Sequence, residues 1–194
     1  LNNCILLYIV GIQVNVLNNA ESSEYSILWS KVYEKVKRYP AKVRVAKLLV
    51  ENGLRIADDG RIYCGPIHIP DAKIAKAANA DRRIVRNTVE LIMKDDRLSK
   101  IFRAIKPAGP NLADAAPYLG FDVIEIYADP NRPGIVAGAS GVIAELGISI
   151  RQVIADDPEL VPEPKLQIVV NGRVPGEVIE KMRRIKGVKS VTLK

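Results

Sequence analysis

Apolar residues recur with two periods along this chain, and the alternation between them spells out most of its elements. The run Phe121 to Tyr127 reads as a strand, and Ile135, Ala139, Val142, Ile143 and Leu146 then recur at helical spacing until Gly147. Ile148 to Ala155 and Leu166 to Val170 are two further strands. Pro175-Gly176 opens a second helix with Val178, Ile179, Met182 and Ile185 on one face, and Gly187 releases a last strand, Val188 to Leu193. The order is βαββαβ.

The upstream half follows a different pattern. Trp29, Val32, Val36 and Tyr39, followed by Val43, Ala46, Leu49 and Val50, predict two helical pieces broken at Pro40 and ended by Asn52-Gly53. Leu54 to Ile69 alternates around Asp58-Asp59-Gly60, a hairpin signal bounded by Gly65-Pro66. Asp71 is placed to cap a helix that turns Ile74, Ala75 and Ala78 inward, and Asn79-Ala80 makes a short turn. Asp81 then caps a longer helix, Arg82 to about Lys94, with Val85, Val89 and Ile92 as its buried stripe. Two helices at this spacing predict a helix-turn-helix.

Charge sharpens that reading. From Lys31 to Lys106 there are 19 Lys and Arg against 9 Asp and Glu, a net of +10, whereas Gly120 to Lys194 holds 10 against 10. The basic excess belongs to one half, and the second helix of the pair exposes Arg82, Arg83, Arg86 and Asn87 at the end that would meet base edges. Arg can donate two bonds to guanine, and Asn can read adenine. Lys73 and Lys76 on the preceding helix are candidate phosphate contacts, and Arg61 beside the hairpin is a candidate backbone contact. A solvated basic face is the competing account.

The turn Asn131-Arg132-Pro133-Gly134 lies between a strand and a helix. Pro133 is expected at the helix start, Gly134 gives close access to the backbone, and the first amides of the helix suit a carboxylate. Asn131 adds an amide donor and a carbonyl acceptor.

The stretch Phe121 to Lys194 resembles an ACT domain, the regulatory module that senses amino acids in many biosynthetic enzymes and some transcription regulators. The resemblance implies a ferredoxin-like split βαβ fold and an amino-acid effector. In the serine-sensing domains of phosphoglycerate dehydrogenases an Asn directly before Arg-Pro-Gly contacts the ligand, and Asn131 matches it. Where that family has a second ligand Asn, at the start of the second strand, Ser149 stands; a His two positions before the turn Asn is replaced by Asp129. The implied ligand site is therefore Asp129, Asn131, Arg132, Pro133, Gly134, Ile135 and Ser149, with the ligand's identity open.

ACT domains commonly dimerise, which implies a homodimer or higher homo-oligomer. The predicted second strand lies at a sheet edge and offers Ser149, Arg151 and Gln152 as the dimer interface. Ile74 to Ala77, Asp81-Arg82-Arg83, Ser149 to Gln152 and Ala155 to Pro158 extend the resemblance, over most of Trp29 to Lys194, to archaeal proteins described as predicted regulators of amino-acid metabolism.

The expected architecture is α+β. Residues 1–27 form an extension, disordered or from a misplaced start; 28–105 form the basic domain, 106–119 a stiff linker rich in proline, and 120–194 the ACT domain. The expected function is an amino-acid-responsive transcriptional regulator that binds DNA. The alternative is a regulatory subunit that controls a metabolic enzyme through protein contacts.

No catalytic residue, metal or cofactor is expected. Cys4 and Cys64 lack metal-ligand spacing, His68 has no neighbouring nucleophile, and no Walker or dinucleotide glycine pattern is present. Gly138 and Gly141 are assigned to helix packing. Asp156, Asp157, Glu159 and Glu163 read as a solvated loop rather than a cation site. Cys4 to Leu17 is too short for a spanning helix, so no membrane is expected, and the low cysteine content fits a cytoplasmic protein.

Overall fold

A computed structural model describes residues 28–194. The extension read over 1–27 lies outside the described residues. The described residues divide into two compact units between Ala108 and Gly109. Together they form an α+β protein with seven α-helices and two antiparallel sheets among the described residues.

In the N-terminal unit, α1 (Leu28–Val36) and α2 (Pro40–Glu51) are separate because Pro40 occupies the first turn of α2, with Tyr39 extended before it. Three short strands follow: β1 (Arg55–Ile56), β2 (Ile62–Cys64) and β3 (Ile67–Ile69). Gly65-Pro66 lies within the sheet and not at the boundary of the hairpin that the sequence predicts. It turns the chain a second time and pairs Cys64 with Ile67, with Gly65 at φ +55°.

The helix pair is α3 (Asp71–Ala77) and α4 (Arg82–Met93). Pro70, not Asp71, takes the cap position of α3; Asp71 sits in the first turn, where its carboxylate accepts from Arg86 Nε at 3.0 Å. Asp81 caps α4 as its position implied, accepting from the Arg83 amide at 2.7 Å. Between the helices Asn79 adopts φ +46°. Arg44 of α2 steadies that turn by donating to the carbonyls of Ala78 at 2.9 Å and Asn79 at 2.7 Å.

A further helix, α5 (Asp96–Ala104), was not foreseen. Asp95 caps it by accepting from the Arg97 and Leu98 amides, and its pKa is lowered chiefly by the Leu98 amide and then by Lys35. Leu98 and Phe102 enter one core with Val32, Val36, Val45, Leu49, Ile56, Ile62, Val85 and Ile92.

In the C-terminal unit, β4 (Asp122–Ala128), α6 (Ile135–Glu145), β5 (Ile150–Ala155), β6 (Lys165–Val170), α7 (Glu177–Arg183) and β7 (Val188–Leu193) follow the expected order. The strands lie in the order β5-β6-β4-β7, every pair antiparallel. Alternation along β4 turns Ile124 and Ile126 into a core with Ala139 and Ile143 of α6 and Val178 and Met182 of α7. Gly138 of α6 meets Ile185, since a Cβ there would lie 3.1 Å from its Cγ2, but Gly141 faces no such neighbour among the described residues.

The opposite face of the sheet has its own cover. Val123 and Val169 pack with Leu112, Ala113, Ala116 and Phe121. Most of the stretch expected as a linker, from Gly109 onward, thus folds with the sheet, including one 3-10 turn at Ala116–Leu119.

Candidate functional site

The turn between β4 and α6 is built by hydrogen bonds among its own residues. The Asp129 carboxylate accepts from the Asn131 amide at 3.0 Å, and its carbonyl accepts from the Arg132 amide at 3.1 Å. The Asp129 amide in turn donates to the Gly187 carbonyl at 3.1 Å, fastening the turn to the start of β7. Asp129, Asn131, Pro133 and Gly134 are exposed, Arg132 is half-buried and Ile135 is buried in the core.

Pro133 is not the first helical residue. The cap position belongs to Gly134 at φ +93°, so glycine is needed there for its conformation, and Pro133 lies one residue outside the helix. The Arg132 side chain runs across the α7–β7 turn, where a Cβ on Gly187 would fall on its Cδ.

Ser149 is exposed, and its carbonyl accepts from the Asn171 amide at 2.8 Å. It does not join the turn within one chain. Strands β4 and β5 both run antiparallel to β6, and Val170 is opposite both Asp122 and Ile150. Ser149 therefore sits at the starting end of β4, whereas the turn follows its finishing end, on the order of 20 Å away along the strands.

Among the described residues strand β5 is an edge, pairing with β6 alone, and its register shifts between Ile150 and Gln152. Arg151 is exposed there, but Gln152 is 6% exposed and its side chain is engaged within the chain. Gln152 Nε2 donates to the Pro110 carbonyl at 2.8 Å, and its Oε1 accepts from the Leu112 amide at 2.9 Å.

A polar cluster on the same outer face of the sheet escaped the sequence reading. Glu125 is 4% exposed, and its Oε1 accepts from Lys165 Nζ at 2.8 Å, Lys194 Nζ at 2.9 Å and Gln167 Nε2 at 2.9 Å. Gln167 Oε1 accepts from Asn111 Nδ2 at 3.2 Å. Burial by itself pushes the Glu125 carboxyl up, but the two ammonium groups and the amide outweigh it and hold it at about 2. The same contact raises the Lys165 ammonium. The readable signal was a Glu and a Gln set by alternation among Ile and Val on neighbouring strands.

On the N-terminal unit Lys73, Lys76, Arg82, Arg83, Arg86 and Asn87 are all exposed. Asn87 also lines a groove of about 420 Å³ with Lys35, Lys42, Glu90, Leu91, Lys94 and Asp95. Lys35 is committed to Asp95 at 2.9 Å. Cys64 is half-buried, and Arg61 is exposed beside Asp59.

Among the described residues no group of three or more His, Cys, Asp or Glu side chains is arranged to hold a metal, and no helix is long and apolar enough to cross a membrane. Asp156 and Asp157 instead accept from the Lys165 and Glu159 amides at 3.2 and 2.9 Å.

No protein-family model and no curated protein matches the chain. Among solved structures, the ACT domain from the GTP pyrophosphokinase of Chlorobium tepidum is similar to it at 17% identity and a TM-score of 0.32, over 38% of this chain and 96% of that one.

Proposed function

We propose that this protein is an amino-acid-responsive regulator, not an enzyme, in which a C-terminal ACT domain of ferredoxin-like fold binds a small amino acid and an N-terminal helix-turn-helix contacts DNA. The observation that carries the reading is the turn Asp129–Gly134. It leaves the Asn131 side chain exposed beside the start of α6, in a unit whose elements run βαββαβ. An amide side chain offers both partners that an amino acid's carboxylate and ammonium need, and the helix start favours the carboxylate.

Because Ser149 lies at the other end of its own sheet, a site containing both ends needs two chains. If two β5 edges pair antiparallel about a two-fold axis, the start of one β5 comes to the end of the sheet that bears the other chain's turn. The effector site is then shared across a homodimer, and a dimer carries the two copies of α4 that a two-fold DNA site takes.

Titration calorimetry with a panel of amino acids tests the effector half. One or more is expected to bind the wild type, and Asn131→Ala is expected to weaken that binding at least about tenfold, the loss of one or two hydrogen bonds to a charged ligand. Unchanged binding removes Asn131 from the site, and no binding by the wild type ends the effector reading.

Retention of genomic DNA fragments tests the other half. Replacing Arg82, Arg83 and Arg86 together with alanine is expected to abolish retention at moderate salt, and wild-type retention is expected to fall steeply as salt rises. Equal retention by the triple variant assigns the basic face to solubility alone.

A further inference from the structure

We infer that Gln152 is a latch: it fastens the chain segment entering the C-terminal unit to strand β5, so that a change at the β5 edge is passed to the connection with the N-terminal unit. This rests on the effector reading above for its trigger, but the latch itself stands on geometry.

The segment begins at Gly109, directly after Ala108, where the N-terminal unit ends. Its apolar residues Leu112, Ala113 and Ala116 pack on the sheet but are few and mostly small, so polar contacts matter to its placement. Gln152 gives it two, to the Pro110 carbonyl and the Leu112 amide, in the manner of a strand partner supplied by one side chain. Asn111 adds a third through Gln167, which is itself held by Glu125. Because Gln152 is buried, these bonds are not readily exchanged for water, and losing them leaves polar groups unsatisfied.

Gln152 is also placed to feel change. Among the described residues it stands on an edge strand held from one side, immediately after the register shift that begins at Ile150. A bulge locally disrupts the ladder, and removing it would change the register by one residue and so turn the following side chains toward the other face of the sheet. Ser149 and Arg151, exposed on either side of Ile150, are the residues that a ligand or a second copy of this chain would meet. Engagement there would work on the bulge, and the bulge would work on the latch. The bulge would then serve as the two-state element between distinct sites that energetic coupling requires.

The test uses the full chain with Gln152→Met, which keeps volume but loses both bonds, and Asn111→Ala, which removes the weaker tie. By amide hydrogen exchange, Leu112 is expected to exchange about tenfold faster in Gln152→Met, while Val123 and Ile168 keep their protection and so report an intact sheet. The response of DNA retention to the bound amino acid is expected to vanish in Gln152→Met and to persist, reduced, in Asn111→Ala. Retention without amino acid is expected to stay at the wild-type level.

Unchanged Leu112 exchange overturns the latch. Faster exchange with a full amino-acid response overturns the coupling. A wild type that binds no amino acid overturns the effector reading and the coupling together, with the latch still decided by Leu112.

Discussion

Gly53→Ala is expected to destabilise the N-terminal unit by about 3 kcal/mol, roughly 15 °C in its Tm. Gly53 is buried at φ +56°, where α2 gives way to Leu54, and a Cβ there would lie 2.5 Å from the Lys106 carbonyl oxygen and 2.7 Å from the Pro107 nitrogen. The obstacle is backbone, which has no rotamer to move into. Relief requires the chain after α5 to shift away from the end of α2, giving up buried contact along the way. The left-handed conformation adds its own penalty for any residue with a Cβ.

Gly60→Ala separates the two contributions. It has φ +77° but among the described residues a Cβ there meets only Val89 Cγ1, at 3.8 Å, so it should cost about 1 kcal/mol. The chain has one tryptophan, Trp29, and it packs against the N-terminal core, so its fluorescence follows that unit. Equal losses in the two variants would show that conformation alone, not close approach, fixes glycine at position 53.

How far the sequence could be read depended on the range of the forces involved. The βαββαβ order and its boundaries were legible because alternation, helical spacing and glycine punctuation act within a few residues, and Asp81 as a cap is a contact of the same local kind. Helix α5 was missed although its signal was local: Asp95-Asp96 reads equally as a turn, and only the bonds to the Arg97 and Leu98 amides distinguish a cap.

The cover over Val123 and Val169 was not legible, since proline-rich sequence says that a segment is stiff and says nothing of the surface it lies on. Nor was the separation of Ser149 from Asn131. It follows from strand order, which periodicity does not encode, while the resemblance supplies both positions without saying that they belong to opposite ends of one sheet. The exposed basic face of α4 was legible, because helical spacing that buries Val85, Val89 and Ile92 turns Arg82, Arg83, Arg86 and Asn87 to the surface.

Acid is expected to weaken the C-terminal unit by about 3 kcal/mol through Glu125 alone, and the sign follows from the direction of its shift. The carboxyl is held at about 2 in the folded protein against 4.5 for the free group, so the folded state prefers it ionised. That preference is fully present above pH 4.5 and is lost as pH falls toward 2, where the protonated carboxyl no longer attracts Lys165 and Lys194. Glu125→Gln removes the charge and nearly keeps the shape. At pH 7 it should cost about 2 kcal/mol, less than breaking a wholly buried pair, because the Lys194 ammonium is 55% exposed and can be hydrated. The decisive quantity is the stability gap between wild type and Glu125→Gln, followed by the protection of the Val123 and Ile168 amides from pH 7 downward. It should be constant to about pH 4.5 and close progressively below it. A gap that survives unchanged at pH 2.5 would mean that Glu125 acts through packing and that the two lysines contribute nothing by their charge.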